Sequence, residues 1–156
     1  MRRILVAVDG TAASREASST ALEYAEHLGM KVTFVHVLPA GQEGDAAEYA
    51  AFEMACEKYA AQLLRQACFA RGGRAWRADT RVVRGDTVAS LCTLAEAEDV
   101  DLVIIGTRPR GPLARTLLGS VSARLLSRCS KPVMVVPERA AHLEVQPERM
   151  RAYLPR

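Results

Sequence analysis

Two short segments of the sequence combine glycine with hydroxyl and charged side chains in a way that suits the binding of a phosphate. The first is Asp-Gly-Thr at residues 9–11, directly after an apolar run, and the second extends over residues 106–120. In the second segment Gly119 and Ser120 open a helical pattern, whose first backbone N–H groups and positive dipole end suit an anion. A turn followed by a capped helix explains the same residues equally well without a ligand.

The longer segment also carries three arginines and no carboxylate. Arg108, Arg110 and Arg115 supply positive charge, and Gly106, directly after a buried strand, allows a sharp turn and close approach to a ligand. The standard phosphate motifs are absent, because the chain has no G-x-x-x-x-G-K-[ST] and no G-x-G-x-x-G after its first strand. The segment therefore suits an anion but is neither a P-loop nor a dinucleotide fingerprint.

Other chemistry-bearing residues do not form a recognisable catalytic or metal-binding group. We interpret His36, inside an apolar strand, as a core histidine. The four cysteines stand far apart without a C-x-x-C pair, so we interpret them as small buried residues in a reducing cytoplasm. No nucleophilic side chain can be paired from the sequence with a general base that would activate it, which leaves enzymatic activity an open question.

Strand-like and helix-like patterns alternate along the chain, which predicts a parallel sheet with helices on both faces. The predicted strands cover residues 4–8, 32–37, 80–83, 102–105 and 133–136. The predicted helices cover residues 13–28, 46–71 and 119–128, and a further helix begins after the N-cap Asp86. Residues 138–156 have no clear periodicity and are expected to be an appendage to a domain of residues 1–137.

Length and composition are those of one domain, which we expect to be cytoplasmic. The chain has 156 residues, of which 49% are apolar and 25% charged. A net charge of +3 and 5% aromatic residues do not favour a nucleic-acid surface. No apolar run reaches the roughly 18–20 residues of a membrane span. The positive charge is uneven, since residues 101–156 hold ten basic and four acidic residues.

Several segments resemble the universal stress protein family. They are ILVAVDG (4–10), HV (36–37), RGD (84–86), DLVIIGTR (101–108), LGSV (118–121) and KPV (131–133). The resemblance covers residues 3–137 and implies a three-layer α/β fold with an open, parallel five-stranded sheet in the order 3-2-1-4-5. It also implies a homodimer through strand 5. In that order the loops after strands 1 and 4 meet where the strand order reverses, the usual ligand position in such sheets.

Nucleotide-binding members of this family carry Gly-x-x-Gly, nine residues, and then Gly-Ser or Gly-Thr. Gly106 and the pair Gly119-Ser120 match this pattern with the correct spacing, but Pro109 replaces the middle glycine. Proline has no backbone N–H and a fixed negative φ, so it weakens phosphate binding if the loop needs a donor or a positive φ there. Gly111 and the arginines of the segment could replace the lost donors.

The resemblance also implies a role for each candidate site residue. Asp9 would face the ribose or a nucleotide-bound Mg²⁺, although a helix cap is the alternative role for this residue. The other candidates divide between base and phosphates: Ala7 and Val37 would line the adenine pocket, Gly106, Gly119, Ser120 and Val121 would hold phosphates, and Arg108 and Arg110 would add charge.

Three functional hypotheses follow from the resemblance and the residues. The first is a stress-response regulatory module that binds ATP or AMP in the crevice between strands 1 and 4. The second, favoured by Pro109, is a dimeric partner-binding protein whose pocket has lost the nucleotide. The third is weak ATP hydrolysis, for which the sequence offers a possible metal carboxylate but no identifiable general base.

Overall fold

The alternating segments form one five-stranded parallel sheet with helices on both faces. The structure is a computed structural model that describes residues 2–41, 46–72, 78–108 and 119–138. Its elements are, in chain order, β1 (Arg3–Ala7), α1 (Ala12–Leu28), β2 (Lys31–Leu38), α2 (Ala46–Cys68), β3 (Ala78–Arg84), α3 (Thr87–Ala95), β4 (Val100–Thr107), α4 (Ser120–Arg128) and β5 (Val133–Pro137). The strand order β3-β2-β1-β4-β5 confirms the order implied by the family resemblance.

The sheet is buried on both sides, which explains why its strands appear in the sequence as continuous apolar runs. Successive residues of β1 point to opposite faces: Ile4 and Val6 belong to a cluster with α1 and α2. Leu5 belongs to a second cluster, on the face covered by α3 and α4. The helices contribute mainly alanine, valine and leucine to these clusters. The apolar face of each helix therefore packs on one face of the sheet, and the core consists of two apolar layers.

The central strand β1 lies between β2 and β4, and the strand order reverses at the boundary between β1 and β4. Ala7 pairs with Val35 of β2, and Val6 pairs with Ile104 of β4. After β1 the chain enters α1 on one face, whereas α4, which precedes β5, covers the other face. The chain therefore continues from β1 and from β4 into helices on opposite faces of the sheet, which leaves a gap beside the carboxyl ends of the two strands.

The helix ends that the sequence marks with capping residues are found in the structure. Asp86 accepts a hydrogen bond from the Ala89 backbone N–H at 2.9 Å, which confirms it as the N-cap of α3. Gly29 ends α1 in the left-handed conformation, with φ of 65°. A glycine adopts this conformation without the steric penalty that a Cβ atom brings, so the helix stops where the chain must turn.

Several element boundaries differ from the sequence prediction. β1 ends at Ala7 rather than Val8, and α2 ends at Cys68 rather than at residue 71. β3 is longer than predicted because it is an edge strand with mostly exposed residues, which give little apolar signal. β4 continues to Thr107, so that Gly106 belongs to the strand.

Parts of the sequence prediction concern residues outside the described part of the chain. These are Pro109, Arg110, Gly111 and Arg115 of the arginine-rich segment and the appendage beyond residue 138. Among the described residues no helix is long and apolar enough to span a membrane.

Candidate functional site

A cleft opens where β1 and β4 end, at the reversal of strand order. Its volume is about 380 Å³. It lies between the start of α1 and the start of α4, and we refer to it as the β1/β4 cleft. Its lining residues are Asp9, Thr11, Ala13, Gly106, Thr107, Arg108, Gly119, Ser120, Val121 and Ser122. The two segments that the sequence analysis selected, after the first and the fourth strand, therefore meet at one place in the fold.

Asp9 begins the turn that leads from β1 into α1. One of its carboxylate oxygens, Oδ1, accepts a hydrogen bond from the Thr11 backbone N–H at 2.9 Å. Gly10, with φ of 80°, provides the left-handed turn between them. This local bond fixes the direction of the carboxylate while the side chain remains exposed. Asp9 therefore stabilises its own turn and lines the cleft with an exposed carboxylate, whereas the N-cap of α1 is Thr11 and not Asp9.

The N-terminus of α1 forms one wall of the cleft. Thr11 is its N-cap, and the Thr11 Oγ1 accepts a hydrogen bond from the Ser14 N–H at 3.1 Å. The first turn of α1 contains no acidic residue. The partial positive charge of this helix end is therefore not offset by a carboxylate within the first turn itself.

The N-terminus of α4 forms the opposite wall and is the less capped of the two. Gly119 is its N-cap and makes no side-chain capping bond, and the first turn again lacks an acidic residue. The first N–H groups of a helix have no acceptor inside the helix. Because Ser120 and Val121 are exposed and line the cleft, this helix end can offer backbone donors and a hydroxyl to an anion.

Close packing between two backbones explains why a glycine stands at position 106, and the sequence alone does not reveal this packing. A Cβ atom at this position would lie 2.3 Å from the backbone carbon of Ala13 and 2.7 Å from the Ser14 nitrogen. The glycine therefore allows β4 to approach the first turn of α1. The expectation that Gly106 provides a turn after the strand is wrong, because the residue lies inside β4. It nevertheless lines the cleft.

The other candidate residues are placed as follows. Arg108 follows β4, is exposed and lines the cleft. Arg110 lies outside the described residues. Ala7 and Val37 are partly buried against the α3/α4 cluster, and neither is among the residues that line the cleft. Their predicted contact with an adenine stays a prediction.

The cleft also includes residues that the sequence analysis did not select. Thr107 is the last residue of β4, and Ser122 is buried in the first turn of α4. Both carry hydroxyl groups into the lining of the cleft. Their signal in the sequence is only that polar residues flank the end of an apolar strand and the start of an amphipathic helix.

His36 has a structural partner in the part of the chain that the structure describes. Its Nδ1 lies 2.6 Å from the carbonyl oxygen of Val8, so this nitrogen carries the proton and donates it. The ring also meets Tyr59 edge to face, with ring centroids 6.3 Å apart. The described residues contain no group of three or more histidine, cysteine, aspartate or glutamate side chains that could hold a metal ion.

Comparisons with known proteins agree with this architecture. A sequence profile described as the universal stress protein family matches residues 1–137. A universal stress protein of Mycobacterium tuberculosis is 31% identical in an alignment that covers 86% of this chain and 48% of that protein. The chain thus spans about half the length of this curated relative.

Two solved structures have the same fold at low sequence identity. A universal stress protein family protein from Arabidopsis thaliana, solved with AMP bound, is 18% identical with a TM-score of 0.65 and covers 95% of this chain and 99% of its own. The universal stress protein from Archaeoglobus fulgidus, solved in complex with dAMP, is 21% identical with a TM-score of 0.59. That match covers 87% of this chain and 98% of the other.

Proposed function

Because the chain belongs to the universal stress protein family, we propose that it is a stress-response regulatory protein that binds an adenine nucleotide, ATP or AMP, in the β1/β4 cleft. The observation that carries the proposal is the meeting of two helix N-termini at that cleft. Neither α1 nor α4 has an acidic residue in its first turn, and both ends line the same space. Such a pair of dipole ends stabilises a phosphate group.

In this proposal the residues of α4 hold the phosphates. Ser120 donates its hydroxyl and backbone N–H, Val121 donates its N–H, and Gly119 keeps the approach free of a side chain. Arg108 adds positive charge at the rim. A phosphate oxygen that receives several such bonds at once gains more than a neutral acceptor would, because bonds to a charged group are shorter and stronger.

Asp9 takes the opposite role at the other side of the cleft. Its carboxylate accepts hydrogen bonds from ribose hydroxyls or binds a nucleotide-bound Mg²⁺. A carboxylate next to phosphates is unfavourable without such a partner, because like charges repel. Ala7 and Val37, at the carboxyl ends of β1 and β2, contact the adenine. The proposal further includes cytoplasmic location and a homodimer formed along β5, the edge strand of the sheet.

Two relatives in fold support the choice of ligand. Their structures contain AMP and dAMP, which share an adenine and a single phosphate. The decisive experiment is isothermal titration of the purified protein with AMP and with ATP plus Mg²⁺. Ser120→Ala should weaken binding by about tenfold, since a hydrogen bond to a charged group contributes roughly 1.5–3 kcal/mol and water replaces part of it. Asp9→Asn should weaken the Mg²⁺-dependent part, while its amide oxygen can keep the bond to the Thr11 N–H.

A matched control lies on the same helix. Ser127 is an exposed serine near the other end of α4, where its hydroxyl bonds to the Arg124 carbonyl. Ser127→Ala should bind nucleotide like the wild type. Absence of measurable heat at millimolar nucleotide, or equal loss in both serine variants, would contradict the proposed site.

Pro109 favours a second function, that of a dimeric partner-binding protein without nucleotide. The residue stands where nucleotide-binding members have glycine, and it has no N–H for a phosphate. Under this alternative the native protein does not bind nucleotide, and Pro109→Gly creates measurable affinity. Mass spectrometry of small molecules released from the purified native protein separates the two functions, since a co-purified nucleotide excludes the second.

A further inference from the structure

A side chain of β2 holds the peptide bond that leads into Asp9. His36 lies near the carboxyl end of β2, and its Nδ1 donates a hydrogen bond to the Val8 carbonyl oxygen at 2.6 Å. Val8 is the residue between β1 and Asp9, and its own N–H donates to the Val35 carbonyl oxygen at 2.8 Å. Both polar backbone groups of Val8 are therefore bonded to β2, one to its backbone and the other to a side chain.

The planar peptide unit carries this restraint from Val8 to Asp9. The Val8 carbonyl and the Asp9 N–H belong to one trans peptide plane, so they point in opposite directions. His36 holds the carbonyl, while the Asp9 N–H donates to the Oγ of the buried Ser14 at 3.4 Å. A plane that is bonded at both edges cannot rotate freely, so the chain enters Asp9 in a fixed direction.

The His36 ring and the turn after Asp9 both lie against α2. Tyr59 of α2 meets the imidazole edge to face at an interplanar angle of 79°, a favourable arrangement of two rings. Gly10 approaches the same helix so closely that an added Cβ atom would lie 2.9 Å from the Tyr59 Oη and 3.0 Å from the Leu63 Cδ2. α2 therefore supports the imidazole and limits the movement of the turn on that side.

We propose, on the basis of the nucleotide site proposed above, that His36 is a positioning residue for the β1/β4 cleft. Through the Val8 carbonyl it directs the Asp9 carboxylate to the ribose hydroxyls or to the nucleotide-bound Mg²⁺. His36 is not among the residues that line the cleft, so it acts on the ligand through Asp9. Rotation of the peptide plane would displace the Asp9 side chain, and hydrogen bonds weaken steeply as their angles depart from linear.

Two substitutions separate the hydrogen bond of His36 from its ring. His36→Phe keeps an aromatic ring beside Tyr59 and removes the donor. His36→Asn removes the ring and keeps a donor, because its amide nitrogen, like Nδ1, is two bonds from Cβ. In isothermal titration of the full-length protein with ATP plus Mg²⁺, His36→Phe should weaken binding by about fivefold, the effect of one hydrogen bond, and His36→Asn by less than about twofold. If Phe is instead the milder change, the ring only fills space and the inference is wrong.

A double-mutant cycle tests whether His36 acts through Asp9. In the Asp9→Asn background the loss caused by His36→Phe should shrink below about twofold, because the charge that His36 positions is already gone. In the Ser120→Ala background it should remain at about fivefold, because Ser120 lies on the opposite wall of the cleft. Equal losses in the two backgrounds would overturn the inference.

A second histidine provides the matched control. The Nδ1 of His27 lies 2.8 Å from the Glu23 carbonyl oxygen, so it makes the same kind of contact as His36. His27 is exposed in the last turn of α1, roughly 22 Å along the helix axis from the end that lines the cleft. His27→Phe should bind ATP plus Mg²⁺ like the wild type. A loss equal to that of His36→Phe would show that the effect does not come from the Asp9 turn.

A measurement on the free protein separates this inference from the proposed function. The Thr11 N–H donates to the Asp9 carboxylate, so its amide hydrogen exchange, measured by NMR, reports the geometry of the turn. Exchange should be about fivefold faster in His36→Phe and close to the wild type in His36→Asn. If this order is found and the wild type binds no nucleotide, the proposed function fails while the positioning of Asp9 by His36 is supported. Unchanged exchange in His36→Phe would overturn the inference whether or not nucleotide binds.

Discussion

At the scale of single residues, the two glycines that match the family's loop pattern have different physical roles. Gly106 stands in backbone contact with α1, where a Cβ atom would lie 2.4 Å from the Ala13 carbonyl oxygen. Gly119 has open surroundings, since the nearest atom to an added Cβ would be the Thr107 Oγ1 at 3.7 Å. Its φ of −58° is also accessible to any residue. The two glycines of the same motif therefore differ in whether their positions can accommodate a side chain.

This difference predicts opposite outcomes for one substitution. Gly106→Ala forces β4 away from the first turn of α1 and should lower the free energy of unfolding by about 1–3 kcal/mol, the usual range for overpacking. Gly119→Ala should cost less than about 1 kcal/mol, because only the N-cap preference of glycine is lost. Urea unfolding of both variants beside the wild type measures the difference. Equal stabilities would show that the two backbones can separate without cost.

The residues of the β1/β4 cleft show how much of the site can be predicted from the sequence alone. The match of Gly106, Gly119 and Ser120 to the family's loop pattern implied that these positions belong to one site, and all three line the β1/β4 cleft. The spacing could not show that Gly106 serves the contact between a strand and a helix, because Ala13 lies far away in the sequence. Thr107 and Ser122 were missed for a similar reason: single hydroxyl residues carry no pattern until the fold brings them together.

At the scale of elements, α3 and α4 are held to each other by a charge as well as by apolar packing. Asp86 caps α3 through the Ala89 N–H and also pairs with Arg124. The capping bond lowers the pKa of Asp86, and Arg124 adds to the effect. Sequence analysis predicted the cap from local preference, whereas the partner Arg124 depends on the packing of two helices and left no local signal.

The lowered pKa predicts a pH dependence of stability. Because the folded-state pKa of Asp86 is below its unfolded value, the stabilisation is complete above the unfolded pKa and is lost as the pH falls through the folded pKa. In Asp86→Asn the amide oxygen can still cap α3, but the charge is gone. We therefore expect this variant to be less stable than the wild type at pH 7 and nearly equal at pH 2, measured by urea unfolding.

An exposed carboxylate elsewhere provides the control for this measurement. Glu98→Gln removes one negative charge from an exposed side chain in the turn before β4. The difference between wild type and Glu98→Gln should depend less on pH than that of Asp86→Asn. If both variants follow the same pH curve, net charge rather than the Asp86 contacts governs the acid response.

At the scale of the whole molecule, alternation of strand and helix was sufficient to predict a parallel sheet, because parallel neighbours need crossover connections. The order of the strands is not contained in that alternation and came from the family resemblance. β3 illustrates the limit on boundaries: it is a seven-residue edge strand with mostly exposed side chains, and only part of it has an apolar pattern. β1 and β4 are buried on both faces, so their continuous apolar runs made them the easiest strands to predict.

The uneven charge of the molecule fits the position of the cleft. The second part of the chain, from residue 101 onward, carries the positive excess and also supplies β4, α4 and most of the lining of the cleft. Among the residues that line the cleft, Arg108 carries a positive charge and Asp9 a negative one. The same division explains why composition argued against a nucleic-acid surface but not against a phosphate.

The extent of the apolar core determines which part of the chain suffices to fold. Within the described residues, both apolar clusters end with β5: Met134 and Val136 pack on one face, and Val133 and Val135 on the other. The Glu138 N–H still bonds to the Thr107 carbonyl at 2.9 Å. A chain ended after Glu138 should therefore unfold cooperatively, with a melting temperature within about 5 °C of the full chain, since about 1 kcal/mol moves it by roughly that amount.

A second, shorter chain is the comparison for this measurement. A chain ended after Pro132 lacks β5, which removes the partner strand of β4 and the apolar side chains that it adds to both clusters. Thermal unfolding followed by circular dichroism should then show no cooperative transition, or one far below that of the longer chain. Equal loss of cooperativity in both truncations would mean that residues 139–156 belong to the folding unit. In that case the boundary at residue 137 would be wrong, because the core described in this molecule would not be sufficient for its stability.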